Sequence, residues 1–449
     1  MVDTLRIGTG AGYSGDRIEP AASIAKSGDL DYLVFECLAE RTMALAHLRR
    51  LSDPDSGYDP LLEERLRLVL SPCVDNKIKI ITNMGAANPL AAGKKTRSLL
   101  NEMGHACLKV GIVLEDDILD AMVDSDFSVL KEPDKIHEIR DKIISANTYL
   151  GASPIIELLK SKADIIITGR TCDPSLFLAP MMHEHGWKDD DWDKIGFGIT
   201  VAHLMECGAQ VTGGYFADPG YKNVEGLANL SFPIAEIFAN QEAVITKLPD
   251  TGGEVSLRTV KEQLLYEVHD PSSYKTADGI ADFTKIKLEE KGQDMVKISG
   301  GGGRARPAYL KVNIGFRNGF LGEAQISYGG YGAKNRAQLA AQILMKRFAD
   351  LKLDFEALRF DFIGSGSLWP GGSPSISNEI RLRVIGRARI RKDVEKLCNE
   401  VEALYTNGPA GGGGVTRSIE ENIAITSAFI PREIVTVQTK ILGEENGQD

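Results

Sequence analysis

Short apolar runs alternate with longer amphipathic stretches through the first two-thirds of the chain, and that alternation predicts strands separated by helices. Leu5 to Ile7, Tyr32 to Glu36, Lys77 to Thr82, Leu108 to Leu114 and Ala163 to Thr168 read as strands. Helices are expected from Pro20, from Cys37 to near Leu51, from Leu61, after Pro89 and over Pro154 to Lys162. The Ile165-Ile166-Ile167 triplet has no polar break, as in a parallel strand buried on both faces. A glycine turn at Gly169 closes it, and Asp173-Pro174 opens the next helix with Asp173 as N-cap and Pro174 at the first helical position. Ile144 to Leu150 is a further short strand, and Leu176 to His185 and Gly196 to Gly208 are helical. Strands at Ile234 to Phe238 and Ala243 to Lys247 then precede a helix over Ser256 to Glu267.

From about residue 282 the period changes to two, with antiparallel strands expected at Thr284 to Leu288, Met295 to Ser299, Ala308 to Phe316 and Leu321 to Tyr328. Helices at Arg336 to Lys346 and Lys392 to Tyr405 interleave with strands near Phe355 to Ile363 and Glu379 to Ile385. The expected fold is α/β: a mostly parallel N-terminal sheet flanked by helices over 1–280, then an α+β domain with antiparallel strands over 281–449.

Composition narrows the function classes. The 449 residues are too many for one small core. A net charge of −11 offers no basic face for nucleic acid. No apolar run approaches a membrane span, and no basic or apolar leader precedes the first strand, so a cytoplasmic protein is expected. Cys37, Cys73, Cys107, Cys172, Cys207 and Cys398 are scattered without CxxC spacing, which disfavours a disulfide framework or a metal cluster.

Candidate chemistry gathers where parallel strands end, the edge at which ligands bind in open α/β sheets. After the central strand come Gly169, Arg170, Cys172 and Asp173: a turn, a fixed cation, a thiol and a carboxylate. Glu36 ends the second strand, and Asn83 and Asn88 follow the third, with amides able to donate to a carbonyl or carboxylate oxygen. Gly10, Gly12 and Gly15 fit GxGxxG, but the helix starts only near Pro20 and Asp16 is a poor neighbour for a pyrophosphate. This loop reads better as a glycine wall to an active site, with Asp16 and Arg17 facing in.

The remaining signals are read as structural first. Glu40-Arg41 is a solvated pair, Glu115-Asp116-Asp117 a helix cap, and His183/His185 a surface pair whose imidazoles diverge by about 200° on a helix. His203 and Glu206 share a helix face, and His269-Asp270 is a weak acid/base candidate. Gly300 to Gly303 and Asn407 to Gly414 read either as phosphate cradles or as lids.

Several stretches together resemble the acyclic terpene utilisation AtuA family. They are Ile7 to Pro20, Phe35 to Thr42, Asn83 to Pro89, Ile167 to Ser175, Gln263 to Pro271 and Asn407 to Gly414. The resemblance implies catabolism of branched carboxylic acids or their CoA thioesters, with some members labelled lyases of 3-hydroxyacyl-CoA type. It also implies pairing with a small companion protein, in a homo- or hetero-oligomer. The expected function is a hydratase or dehydratase, with a carbon–carbon lyase as the neighbouring activity. In it Arg170 and Arg17 grip a carboxylate, Asp173, Glu36 or Asp16 moves the proton, and Asn83 or Asn88 stabilises enolate charge. Cys172, Gly12 and Gly169 complete the substrate wall. No cofactor is assigned, and a divalent metal is left open. The alternatives are a non-catalytic subunit that binds CoA esters or scaffolds a partner, and an NAD-dependent oxidoreductase.

Overall fold

The structure, a computed structural model, describes residues 3–128, 130–131, 134–369 and 377–442, and the backbone but not the side chain of Lys135. The chain runs β1 (Thr4–Ala11), α1 (Glu19–Ser27), β2 (Tyr32–Phe35), α2 (Glu40–Ser52), α3 (Leu62–Asp75), β3 (Lys79–Thr82), α4 (Pro89–Glu102) and β4 (Val110–Leu114). It continues α5 (Leu119–Asp124), α6 (Asp134–His137), β5 (Ile143–Thr148), α7 (Ser153–Lys160), β6 (Ile165–Ile167), α8 (Asp173–His185), α9 (Trp192–Glu206), β7 (Ile234–Phe238), β8 (Glu242–Thr246) and α10 (Leu257–Leu265). Next come β9 (Tyr274–Lys275), β10 (Ile280–Ala281), β11 (Ile286–Gly292), β12 (Met295–Gly300), β13 (Gly303–Arg304) and β14 (Tyr309–Gly329). Last are α11 (Ala333–Asp350), β15 (Ala357–Ile363), β16 (Glu379–Ala388), α12 (Arg391–Asn407), β17 (Gly412–Pro431) and β18 (Gln438–Leu442).

Two compact units divide these elements: 1–315 with 425–449, and 316–424. The first is built on a ten-stranded sheet in the order β11-β12-β8-β7-β1-β2-β3-β6-β4-β18. Its middle, β1-β2-β3-β6-β4, is parallel, and every pair outside that quintet is antiparallel. The sheet is therefore mixed rather than mostly parallel. Its antiparallel flank includes the hairpins β7-β8 and β11-β12, whose short connections permit no crossover. Thr284 to Leu288 and Met295 to Ser299, expected to open a second domain, contribute to this sheet's edge as β11 and β12.

The isoleucine triplet behaves as its sequence requires. Ile166 enters the core beneath α7, α8 and α9, while Ile165 and Ile167 enter the core beneath α1, α3 and α4. Each side chain contributes about 1.5–3 kcal/mol of burial. With both faces covered, the sheet leaves only its strand ends open for chemistry.

The second unit carries antiparallel β15-β16-β14-β17 pairing, with Ala324, Ile326, Leu382 and Val384 packed against Ala337 and Leu344 of α11 and Leu397 and Val401 of α12. The two strands expected at Ala308 to Phe316 and Leu321 to Tyr328 are one strand, β14, and Gly412 to Gly414 open β17. The run Gly300 to Gly303 lies against α9: a Cβ on Gly303 would overlap the Trp192 carbonyl, and one on Gly196 would overlap that of Gly302. That close approach is why these residues are glycine, and it corrects the cradle-or-lid expectation for this run. Among the described residues no helix is long and apolar enough to cross a membrane.

Candidate active site

The carboxyl ends of β1, β2 and β6 deliver their loops to one cleft of about 1060 Å³ in the first unit. Asp16 comes from the loop after β1, Glu36 from the end of β2, and Arg170, Cys172 and Asp173 from the loop after β6. Glu40 at the start of α2, Tyr149 after β5, Glu206 at the end of α9, Tyr274 on β9 and Lys311 on β14 complete the polar lining.

Arg170 is 1% exposed and sits at the centre. Its Nη1 donates to the Leu38 carbonyl (2.8 Å) and lies 3.3 Å from Asp173 Oδ1, while its guanidinium stacks 4.1 Å from the Tyr149 ring centroid. Its Nε has no protein acceptor. Burial opposes its charge, but Asp173, Tyr149, Glu36 and Glu40 more than offset this and hold the guanidinium protonated. Its backbone N–H is also fixed, donating to Asp116 Oδ2 (2.8 Å).

The carboxyl groups around it divide by environment. Burial, with repulsion from Asp173, pushes Glu36 up, although Arg170, the Asn83 amide (2.9 Å) and the Leu38 N–H (2.8 Å) favour its anion. Burial likewise raises Asp173 against the pull of Arg170. Burial and the Asp173 and Glu267 charges raise Glu206, whose Oε1 is held by His203 Nδ1 (2.8 Å). His203 is itself buried, stacked on Phe283 and tilted against Tyr274, and burial pushes it down to about 4. It is therefore neutral, and its Nδ1 is hydrogen-bonded to Glu206 Oε1. Glu40 goes the other way: burial opposes ionisation, but the Tyr149 hydroxyl (2.6 Å) and Lys311 ammonium (3.0 Å) bring it down to about 2. Asp16 accepts the N–H groups of Gly12 (2.9 Å) and Arg17 (3.1 Å), and burial raises it.

Of the residues expected to form the site, Asp16, Glu36, Arg170, Asp173, Cys172 and Gly12 do line the cleft. Others are placed elsewhere. Arg17 turns its guanidinium to the carbonyls of Leu227 and Ala228. Asn83 spends its side chain on Glu36 and the Cys37 N–H. Asn88 caps α4 through the Ala91 N–H and ties down the carbonyls of Pro54 and Ser56. Gly169 is glycine because a Cβ would overlap the Asp116 carboxylate. Asp173 is not the cap of α8 but its first residue, with Cys172 at the N-cap position; its carboxylate turns to Arg170. Burial pushes the Cys172 thiol up to about 12, so it is a wall and not a nucleophile.

The glycine-rich loop after β1 is closed to a pyrophosphate. Asp16 already accepts the Gly12 N–H, and Gly12 abuts the Cys207–Gly208 backbone so tightly that a Cβ would overlap it. Buried Arg65 pins the same loop from behind, donating to the carbonyls of Tyr13, Ser14 and Asp16.

Three structural readings are corrected. Glu40 is no solvated pair but a cleft residue. Asp117 accepts the Leu119 N–H just ahead of α5, whose N-cap is Ile118, but Asp116 is buried, joined to Asn147 Nδ2 (2.9 Å) and raised by burial to about 7. His185 is 5% exposed and stacks on Trp187. Asp270 accepts from Ser272 and not from His269. All six cysteines are free. Among the described residues no group of three His, Cys, Asp or Glu side chains is arranged to hold a metal ion.

The chain is thus a mixed α/β protein with titratable groups converging at the ends of its parallel strands. The chain belongs to the acyclic terpene utilisation family, AtuA, whose family model matches residues 5–441. Membership implies a role in acyclic terpene utilisation. Among curated proteins none matches the chain.

Proposed function

We propose that the protein is a catabolic lyase, a hydratase or dehydratase acting on a branched small carboxylic acid or its CoA thioester. One observation carries this reading. Asp173 Oδ1, 3.3 Å from Arg170 Nη1, and Glu206 Oε2 are shielded carboxyl oxygens without a hydrogen-bond partner among the described residues, and both residues line the cleft that holds Arg170. Two carboxyl groups in one cleft with different partners, Asp173 beside Arg170 and Glu206 beside His203, supply a base and an acid.

In the dehydration direction the Asp173 carboxylate, whose anion the adjacent Arg170 favours against burial, takes the proton from the carbon next to the carboxyl or thioester. Arg170 offers its free Nε–H to the oxygen on which negative charge develops. Glu206, whose acid form burial favours and whose Oε1 is held by neutral His203, gives its proton to the departing hydroxyl, which leaves as water. Hydration is the reverse. Lys311, half exposed and paired with Glu40, is a cation for an anionic group of the substrate. A small companion protein and an oligomeric state belong to the same proposal.

The test is solvent deuterium incorporation, followed by NMR, into branched hydroxy acids and their CoA esters, with the protein alone and with its companion. Deuterium is expected at the carbon next to the carboxyl or thioester. Asp173→Asn and Glu206→Gln are each expected to slow turnover by about 100-fold or more. Full turnover in both variants would remove this site from the reaction. The non-catalytic, CoA-ester-binding reading has one observation of its own, since Arg170 already has Asp173, the Leu38 carbonyl and the Tyr149 ring. Ligand binding without exchange in any compound would establish that reading instead.

A further inference from the structure

The second unit holds two glycine-rich segments that take no part in the cleft chemistry, and both border Arg336. The first joins β14 to α11: Gly329, Gly330, Tyr331 and Gly332, with Gly330 and Gly332 in the left-handed region (φ +80° and +74°). The second opens β17, with Gly411 and Gly414 left-handed (φ +72° and +65°). A Cβ on Gly411 would lie 3.8 Å from Arg336 Nη1. One on Gly412 would lie 3.1 Å from the edge of the Tyr328 ring and 3.3 Å from the carbon bearing its hydroxyl. Among the described residues a Cβ on Gly329, Gly330, Gly332 or Gly413 would meet nothing within 4 Å.

Two side-chain donors here lack an acceptor among the described residues. Tyr328 is 1% exposed, yet its hydroxyl has no hydrogen-bond partner, and neither has the shielded Nε of Arg336. The Arg336 charge acts on that hydroxyl, which burial otherwise raises. Arg336 donates to the Gly329 carbonyl but forms no ion pair with a described residue. It stands in the first turn of α11 beside Lys334, and that turn has no acidic residue. Two cations at the positive end of an 18-residue helix oppose the macrodipole. An anion there would satisfy the helix N-terminus, the cations and the two unpartnered donors together.

We propose that the Gly329–Gly332 loop, the first turn of α11 and the start of β17 form an oxyanion site. It takes a phosphoryl group, free or carried on a small molecule, against the Arg336 guanidinium and the Tyr328 hydroxyl. A phosphate offers enough acceptor oxygens for both side chains and for backbone N–H groups at once.

The test is calorimetric titration of the full-length protein with inorganic phosphate, with adenosine monophosphate, and with acetate as a control. Saturable binding of phosphate or the monophosphate is expected, and acetate is expected to bind more weakly. Tighter binding of the monophosphate assigns a carried phosphate; tighter binding of inorganic phosphate assigns the free ion. Arg336→Ala is expected to weaken binding by about tenfold or more, while Lys311→Met, in the cleft, leaves it intact. Tyr328→Phe separates binding from folding. Removing a hydroxyl that has no partner in the free protein is expected to leave Tm unchanged or raised while weakening phosphate severalfold. No saturable binding, binding indifferent to Arg336→Ala and Tyr328→Phe, or binding abolished by Lys311→Met would each overturn the proposal.

Discussion

At the scale of single residues the protein is organised around a buried guanidinium. Arg170 is the positive charge among Glu36, Asp173 and Glu40, and removing it would leave buried carboxyl groups without their counter-ion. Arg170→Met is therefore expected to lower stability by about 3 kcal/mol at neutral pH. Without the cation the folded-state pKa values of Glu36 and Asp173 rise further. A carboxyl raised above its unfolded value stabilises the fold at low pH and loses that contribution as pH rises. Urea denaturation at a series of pH values should then show the deficit of the variant shrinking as the medium is acidified. A deficit that grows on acidification would contradict the pairing.

Asp116 makes a second residue-scale prediction. Its pKa rises from the ordinary 3.8 to about 7 through burial, so between those values the folded chain holds a proton that the unfolded chain has released. Its contribution is complete below the lower value and lost as pH climbs through about 7. Asp116→Asn should flatten the fall in unfolding free energy across that window. It should also alter the pH dependence of any turnover, because Asp116 holds the Arg170 backbone N–H. Asn147 donates through Nδ2 to Asp116 and accepts through Oδ1 from His47 Nε2 (2.8 Å), which makes one buried chain from α2 to the Arg170 loop.

At the scale of elements, close approach decides more than propensity. The run Gly300 to Gly303 lets α9 lie against β13, and a methyl on Gly303 would overlap the Trp192 carbonyl. Gly303→Ala should cost about 1–3 kcal/mol, the usual range for overpacking, whereas Gly413→Ala, with nothing within 4 Å, should be near neutral. Thermal melts of the two variants check this directly. The N-terminus of α8 carries the same lesson. Asp173-Pro174 has the signature of a helix start, and the helix does begin there, but the carboxylate is drawn to Arg170 instead of capping. Asp173→Asn is accordingly expected to change turnover far more than the melting of α8.

At the scale of the whole molecule, the two units build their cores separately. Phe316 to Ala424 has its own cluster of Ile326, Leu382, Val384, Leu344 and Val401, distinct from the two cores of the ten-stranded sheet. Native-state hydrogen exchange should group the amides of that unit into an opening reaction with its own free energy. A single common free energy for both units would show them to be one cooperative body.

Local pattern was sufficient for every parallel strand, for the edge at which chemistry collects, and for Glu36, Arg170 and Asp173 within the cleft. These follow from apolar runs, turn residues and the rule that loops leave a parallel sheet at its carboxyl ends, all of which act over a few neighbouring residues. What local pattern left open was pairing. Tyr149 and Lys311 reach Glu40 across 109 and 271 positions, so nothing near Glu40-Arg41 distinguishes a cleft carboxylate from a solvated one. Strand alternation announced β11 and β12 but not that they would extend the first sheet. Asn83, Asn88 and Arg17 have the right chemistry beside the right strands, yet nearby backbone and carboxyl groups consume it. The sequence by itself determined which segments become strands and helices and which polar groups stand at their ends. The tertiary structure decided which of those groups face one another, because burial and long-range contact, not residue type, set whether a carboxyl is a cap, a counter-ion or an acid.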